Sequence, residues 1–148
     1  LGQRARACLL WAAACAAGLP LPATANPALQ QGRALFTGAQ ALPAQAGAAG
    51  LALPASASRC VNCHSAPGVP AAGTPGSASY GPALNSAWLL GLQPRRGGPP
   101  SRYDAAALCQ LLRQGQDPAG VMLAAAMPRY TLSDTQCRAL WTLLTSDL

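Results

Sequence analysis

Two thiols three positions apart, with an imidazole directly after them, form the segment of this chain best suited to chemistry: Cys60-Val61-Asn62-Cys63-His64. That spacing suits covalent attachment of a c-type haem. Each thiol adds to one vinyl group of the porphyrin, and a tight turn between Cys60 and Cys63 matches the distance between the two vinyls. His64 follows at once, so its imidazole reaches the iron as the proximal axial ligand. It is the single histidine of the chain. A zinc site on these three side chains wants a fourth ligand, and no second Cys-x-x-Cys or His pair supplies one. A thioredoxin-like redox pair wants a βαβ setting that the sequence does not offer. A plain disulfide is the remaining alternative.

A haem iron in a low-spin electron carrier takes a second axial ligand. Met127 heads the segment Met127-Pro128-Arg129-Tyr130-Thr131-Leu132. Its thioether is a soft ligand that raises the haem potential. Pro128, with φ locked and no N–H, stiffens the segment that must present the sulfur. Met122 is the other methionine, and packing is the ordinary role of either. On the proximal side, the carbonyl of Pro82 in Tyr80-Gly81-Pro82-Ala83-Leu84 is a candidate acceptor for the Nδ1–H of His64. Such a bond orients the imidazole and raises its basicity; a simple Gly-Pro turn is the alternative. Arg95 and Arg96 are candidates for pairing with a haem propionate, because guanidinium matches carboxylate geometry.

The elements that must position these groups read as helices joined by loops. Pro27 to Gly38 has partial helical periodicity through Leu29, Gly32, Arg33, Leu35 and Phe36. Gln40 to Ser58 is Ala/Gly/Pro-rich without a period and reads as an extended loop. Cys60 to Ser65 is a short helical turn, and Ser65 to Ser79 is a second loop. A short apolar stretch, Trp88-Leu89-Leu90, precedes a Pro/Gly/Arg loop. Asp104 to Gln114 is a helix with Asp104 at its positive end and Gly115 closing it. Gln116 to Ala126 is a loop. Ser133 to Asp147 is the last helix, opened by a capping box of Ser133 and Gln136. Its stripe of Cys137, Leu140, Trp141 and Leu144 is expected to cross the first helix near Gly32 and Phe36.

The chain has 148 residues, one domain's worth. Half of it is hydrophobic, but alanine supplies much of that, and large rings are few. A buried haem would add the apolar mass such a core lacks. All basic residues are arginine and all acidic ones aspartate, with a formal charge of +6. The absence of a basic run with interleaved aromatics argues against nucleic acid. A modest positive balance steers a protein toward acidic partner surfaces or simply keeps it soluble.

Residues 1–25 read as a secretory signal peptide: Arg4 and Arg6, an apolar run from Ala7 to Leu21, then Ala23-Thr24-Ala25 as the cleavage site. The apolar run is short and alanine-rich for a membrane span. An uncleaved anchor and lipidation at Cys15 are the alternatives, the latter poorly matched because Ala12 stands where a leucine is usual. Residues 26–148 then form one haem-carrying domain. Cys109 and Cys137 are left over as an even pair on the apolar sides of two helices. In an oxidising compartment they are expected to form a disulfide, with two free buried thiols as the alternative. The bond would close a loop of about 28 residues and contribute roughly 3 kcal/mol.

Together these parts resemble a class I cytochrome c. The matching residues are Gly32 and Phe36, Cys60-Val61-Asn62-Cys63-His64, Gly81-Pro82-Ala83-Leu84, Met127-Pro128 and the stripe through Trp141. They occur in that family's order over nearly all of residues 28–147 and differ from cytochrome c′, whose haem motif lies near the C-terminus. The resemblance implies an all-α cytochrome c fold, about four to five short helices around one covalent haem c, with long Pro/Gly/Ala-rich loops. It implies His64/Met127 ligation and one-electron transfer in the bacterial periplasm, not enzymatic turnover. The protein would be a diffusible carrier or the cytochrome subunit of a dehydrogenase, its partners dehydrogenases, oxidases or reductases, and its mature form would not span a membrane. The competing function is a pentacoordinate haem enzyme or gas sensor with an open distal site. The long Gln40–Ser58 insert and the Cys109/Cys137 pair depart from the family's general pattern.

Overall fold

Each helix begins and ends where its sequence satisfies the backbone groups that a helix leaves unpaired. In α1 (Pro27–Thr37), the Asn26 side chain accepts from the N–H of Ala28 at 3.0 Å and of Leu29 at 3.3 Å. Pro27 opens the helix, where a missing N–H costs nothing. Gly38 ends it at φ 82°, a left-handed value natural to glycine. The short helix α2 (Ser86–Leu90) is capped by Asn85, which accepts from Trp88 N–H at 2.8 Å. Helix α3 (Ala105–Gln114) is capped by Asp104 on Ala107 N–H at 2.7 Å and ends on Gly115 at φ 76°. Helix α4 (Asp134–Leu144) carries the full capping box: Ser133 accepts from Gln136 N–H at 3.2 Å, and Gln136 accepts from Ser133 N–H at 2.8 Å.

The computed structural model describes residues 26–46, 50–70, 72 and 81–146. The signal-peptide reading of 1–25, Cys15 included, lies outside the described residues, as do most of the second loop, Tyr80 and Asp147; the last helix, expected to run to Asp147, ends at Leu144 with Thr145 as its cap. Among the described residues no helix is long and apolar enough to cross a membrane.

The core forms where α1 crosses α4. Leu35 and Phe36 of α1 and Ala139, Leu140, Leu143 and Leu144 of α4 are all buried. Gly32 makes the close approach possible: a Cβ there would lie 2.2 Å from the Ala139 carbonyl oxygen and 2.9 Å from Leu143 Cβ. Helix α3 packs beside α4, and Cys109 and Cys137 are joined by a disulfide between them. Arg113 adds a polar tie at the same junction, donating to the Leu132 carbonyl at 2.9 Å and to Asp134 at 2.7 Å.

The all-α expectation is overturned by a three-stranded antiparallel sheet ordered β2-β1-β3. Strands β1 (Ala44–Ala46) and β2 (Leu51–Ala52) lie in the stretch read as an extended loop, and β3 (Arg129–Tyr130) lies directly after Met127-Pro128. Gln45 pairs with Ala52 on one side and with Arg129 on the other. The molecule is therefore a mixture of helices and a small sheet. Strands of two or three residues are too short to produce a period, and Ala and Gln have little strand preference. The sheet exists because two segments far apart in sequence meet and share backbone hydrogen bonds, which no local pattern encodes.

Candidate cofactor site

Cys60 and Cys63 sit on a tight turn. Cys60–Asn62 form a single 3₁₀ turn, and the N–H groups of Cys63 and His64 both donate to the Cys60 carbonyl, at 3.1 Å and 3.0 Å. Val61, between the two cysteines, is buried in the core. Asn62 holds the outer side of the turn by donating to the Ser56 carbonyl at 2.9 Å. Neither thiol is in a disulfide, and burial pushes that of Cys60 up to about 11, so it stays protonated near neutral pH.

His64 is buried and held from two directions. Its Nδ1 lies 2.8 Å from the Pro82 carbonyl oxygen. A carbonyl only accepts, so Nδ1 carries the proton and Nε2 keeps the lone pair that a metal takes. The segment bearing Pro82 is fixed by the Gly81 N–H on the Cys63 carbonyl at 3.1 Å and the Leu84 N–H on the Ser65 carbonyl at 2.8 Å. Gly81 provides a cradle for the ring: a Cβ there would lie 2.0 Å from His64 Cε1.

Cys60, Cys63 and His64 open onto a cavity of about 370 Å³. Met127 lines the same cavity, as do Leu108, Leu111 and Leu112 of α3. An apolar cavity of this size is more than twice the roughly 150 Å³ left by a single engineered leucine deletion, and it falls within the usual range for ligand pockets. Met122, the other methionine, is 58 % exposed and lies outside this lining.

The Met127 arm is held at both ends. Its N–H donates to the Ala124 carbonyl at 3.0 Å, and Arg129 donates to the carbonyls of Met127 and Leu123. Arg129 passes over Gly115, where a Cβ would lie 1.9 Å from its Nε. Just beyond, β3 pairs with β1, and the Tyr130 hydroxyl donates to the Ser58 carbonyl at 2.9 Å. Burial pushes the Tyr130 phenol far up, so that hydroxyl remains a donor.

The two arginines read as propionate partners have different surroundings. Arg96 lines the cavity beside Tyr103 and is paired with the buried Asp117 at 2.6 Å. Asp117 also accepts from the N–H groups of Ala119 at 3.0 Å and Val121 at 2.8 Å. Burial pushes the Tyr103 phenol up, and Arg96 offsets part of that. Arg95 is buried at 3 % exposure and donates to backbone carbonyls, so its guanidinium is already committed.

The residues present fit a covalently held haem. Two thiols on one turn, an imidazole with Nε2 to spare and a thioether on the wall of the same apolar cavity make up the donor set, and Gly81 leaves room for the imidazole. Among the described residues no group of three His, Cys, Asp or Glu side chains is placed to hold a metal ion. Comparison with protein-family models, with curated proteins and with solved structures returns no match. The supports that a linear reading missed are Arg129 and the Tyr130–Ser58 bond. Their one visible signal was position: an arginine and a buried-type aromatic immediately after Met127-Pro128.

Proposed function

We propose that this protein is a monohaem c-type cytochrome that carries single electrons in the bacterial periplasm. It works either as a diffusible carrier or as the cytochrome subunit of a dehydrogenase. The observation that carries this reading is the placement of Cys60, Cys63, His64 and Met127 on the wall of one apolar cavity, with the Nδ1 of His64 engaged by Pro82. Bound haem supplies a one-electron couple at its iron. The chain's own residues do the rest. Cys60 and Cys63 tether the ring through thioethers. Pro82 fixes the tautomer that leaves Nε2 of His64 free to ligate. Met127, on the wall of the same cavity, would supply the second ligand, and the α3 leucines make that wall apolar. The signal-peptide reading of residues 1–25 supports export, and dehydrogenases, oxidases or reductases are the redox partners that fit.

The test is expression of the full chain in a host with periplasmic haem attachment. The expected product carries one haem that survives denaturation and acid-acetone extraction, lost when Cys60 and Cys63 are both changed to alanine. Its oxidised spectrum is low-spin, and Met127→Ala converts it to high-spin while Met122→Ala does not. A protein that holds no haem overturns the reading. A haem protein that is high-spin before any substitution replaces the carrier with the open-site enzyme or gas sensor.

A further inference from the structure

The side chain of Arg129 bridges the two ends of one turn of backbone. One terminal nitrogen donates to the Met127 carbonyl at 2.5 Å and the other to the Leu123 carbonyl at 3.3 Å. Between those ends, the Met127 N–H donates to the Ala124 carbonyl at 3.0 Å. The guanidinium rests on Gly115, the residue that ends α3: a Cβ there would lie 1.9 Å from Arg129 Nε and 2.1 Å from its Cζ. The Gly115 carbonyl in turn accepts from the Leu123 N–H at 2.7 Å. The ion pairs among the described residues are Arg96–Asp117 and Arg113–Asp134, and neither includes Arg129. The Arg129 backbone is fixed separately, paired with Gln45 in the sheet. Leu123, Ala124, Ala126 and Met127, all within the bridged turn, line the cavity.

We propose that Arg129 is a positioning residue that controls access to the cavity: bonded to both ends of the 123–127 turn and seated on Gly115, it holds Met127 at the cavity wall against displacement by small nitrogenous ligands. This rests on the haem-carrier reading, in which Met127 is the second ligand, and names the residue that keeps that position closed. A molecule that takes the place of Met127 must move the turn, and moving it breaks the two charge-assisted bonds from Arg129. Those bonds exist in the closed arrangement alone, and a contact made in one of two states shifts the equilibrium toward that state. An arginine that only stiffened the fold would stabilise the open and closed arrangements alike and leave ligand displacement unchanged.

The test separates access from stability. Haem-loaded wild type, Arg129→Leu, Gly115→Ala and Asn26→Ala are titrated with imidazole in the oxidised state and followed by absorption, with thermal melts alongside. Arg129→Leu removes both bonds. Gly115→Ala keeps the arginine and pushes its guanidinium off its seat. Asn26→Ala removes the cap of α1 and measures what a loss of stability alone does. Imidazole is expected to bind Arg129→Leu and Gly115→Ala at least about tenfold more tightly than wild type. Asn26→Ala is expected to bind it with the wild-type affinity. Arg129→Leu decides where it folds and loads haem; otherwise Gly115→Ala decides. Wild-type affinity in the deciding variant overturns the proposal and leaves the haem-carrier reading intact. So does an equal tightening in Asn26→Ala, which would trace the effect to stability. A wild-type protein that lacks covalent haem, or is high-spin, overturns both.

Discussion

The Tyr130 hydroxyl donates to the Ser58 carbonyl at 2.9 Å, joining the strand that follows Met127 to the segment that leads into Cys60. Two stretches that line one cavity are tied by this buried bond and by the β1–β3 pairing next to it. Removing the hydroxyl leaves a buried carbonyl without its donor. Tyr130→Phe is expected to lower the unfolding free energy by about 1–3 kcal/mol, measured by urea denaturation. A loss indistinguishable from zero would mean that the sheet holds the arm without help.

Gly81 is expected to tolerate no side chain. A Cβ at this position would lie 2.0 Å from His64 Cε1, against a ring fixed by its bond to Pro82. Gly81→Ala should tilt the imidazole, breaking the Nδ1 bond and the line from Nε2 into the cavity. Pro82→Ala keeps the backbone carbonyl and should be much milder. The comparison is the yield of covalent haem and its spin state in each variant. Equal behaviour of the two would show that the cradle is not critical.

The disulfide between Cys109 and Cys137 closes a loop of 28 residues and joins the two helices whose leucines face the cavity. The chain-entropy model gives such a cross-link about 3 kcal/mol. The double variant Cys109→Ala, Cys137→Ala should lose roughly that much in guanidinium unfolding. Alkylation before reduction should label neither cysteine in the wild type. Labelling of both would show that the bond is not formed in solution.

Asp134 is held below the usual carboxylate range by the guanidinium of Arg113 at 2.7 Å, which favours the charged form. A carboxyl whose folded pKa is depressed adds stability above its unfolded pKa and loses it as pH falls through the folded value. The pair is exposed, so its effect on stability is small. The direct check is an NMR titration of the Asp134 carboxyl. Its midpoint should rise toward the ordinary aspartate value in Arg113→Gln, and an unmoved midpoint would dismiss the pairing.

Chemistry confined to neighbouring residues was legible in the sequence. The Cys60/Cys63/His64 spacing, the caps at Asp104 and Ser133, and the glycines ending two helices each depend on contacts within one turn. The small residue at Gly32 was readable as a crossing point because helical periodicity places it on a face with Phe36. What the sequence did not reveal was the sheet. Its pairs join Ala44 and Gln45 to Tyr130 and Arg129, and neither stretch has enough length or strand preference to announce itself. The same holds for the clamp of Arg129 over Gly115, for Arg96 on Asp117, and for the burial of Arg95 behind two rings. Those placements were decided only when distant segments packed, because a hydrogen bond or a buried charge depends on three-dimensional neighbours that sequence separation hides.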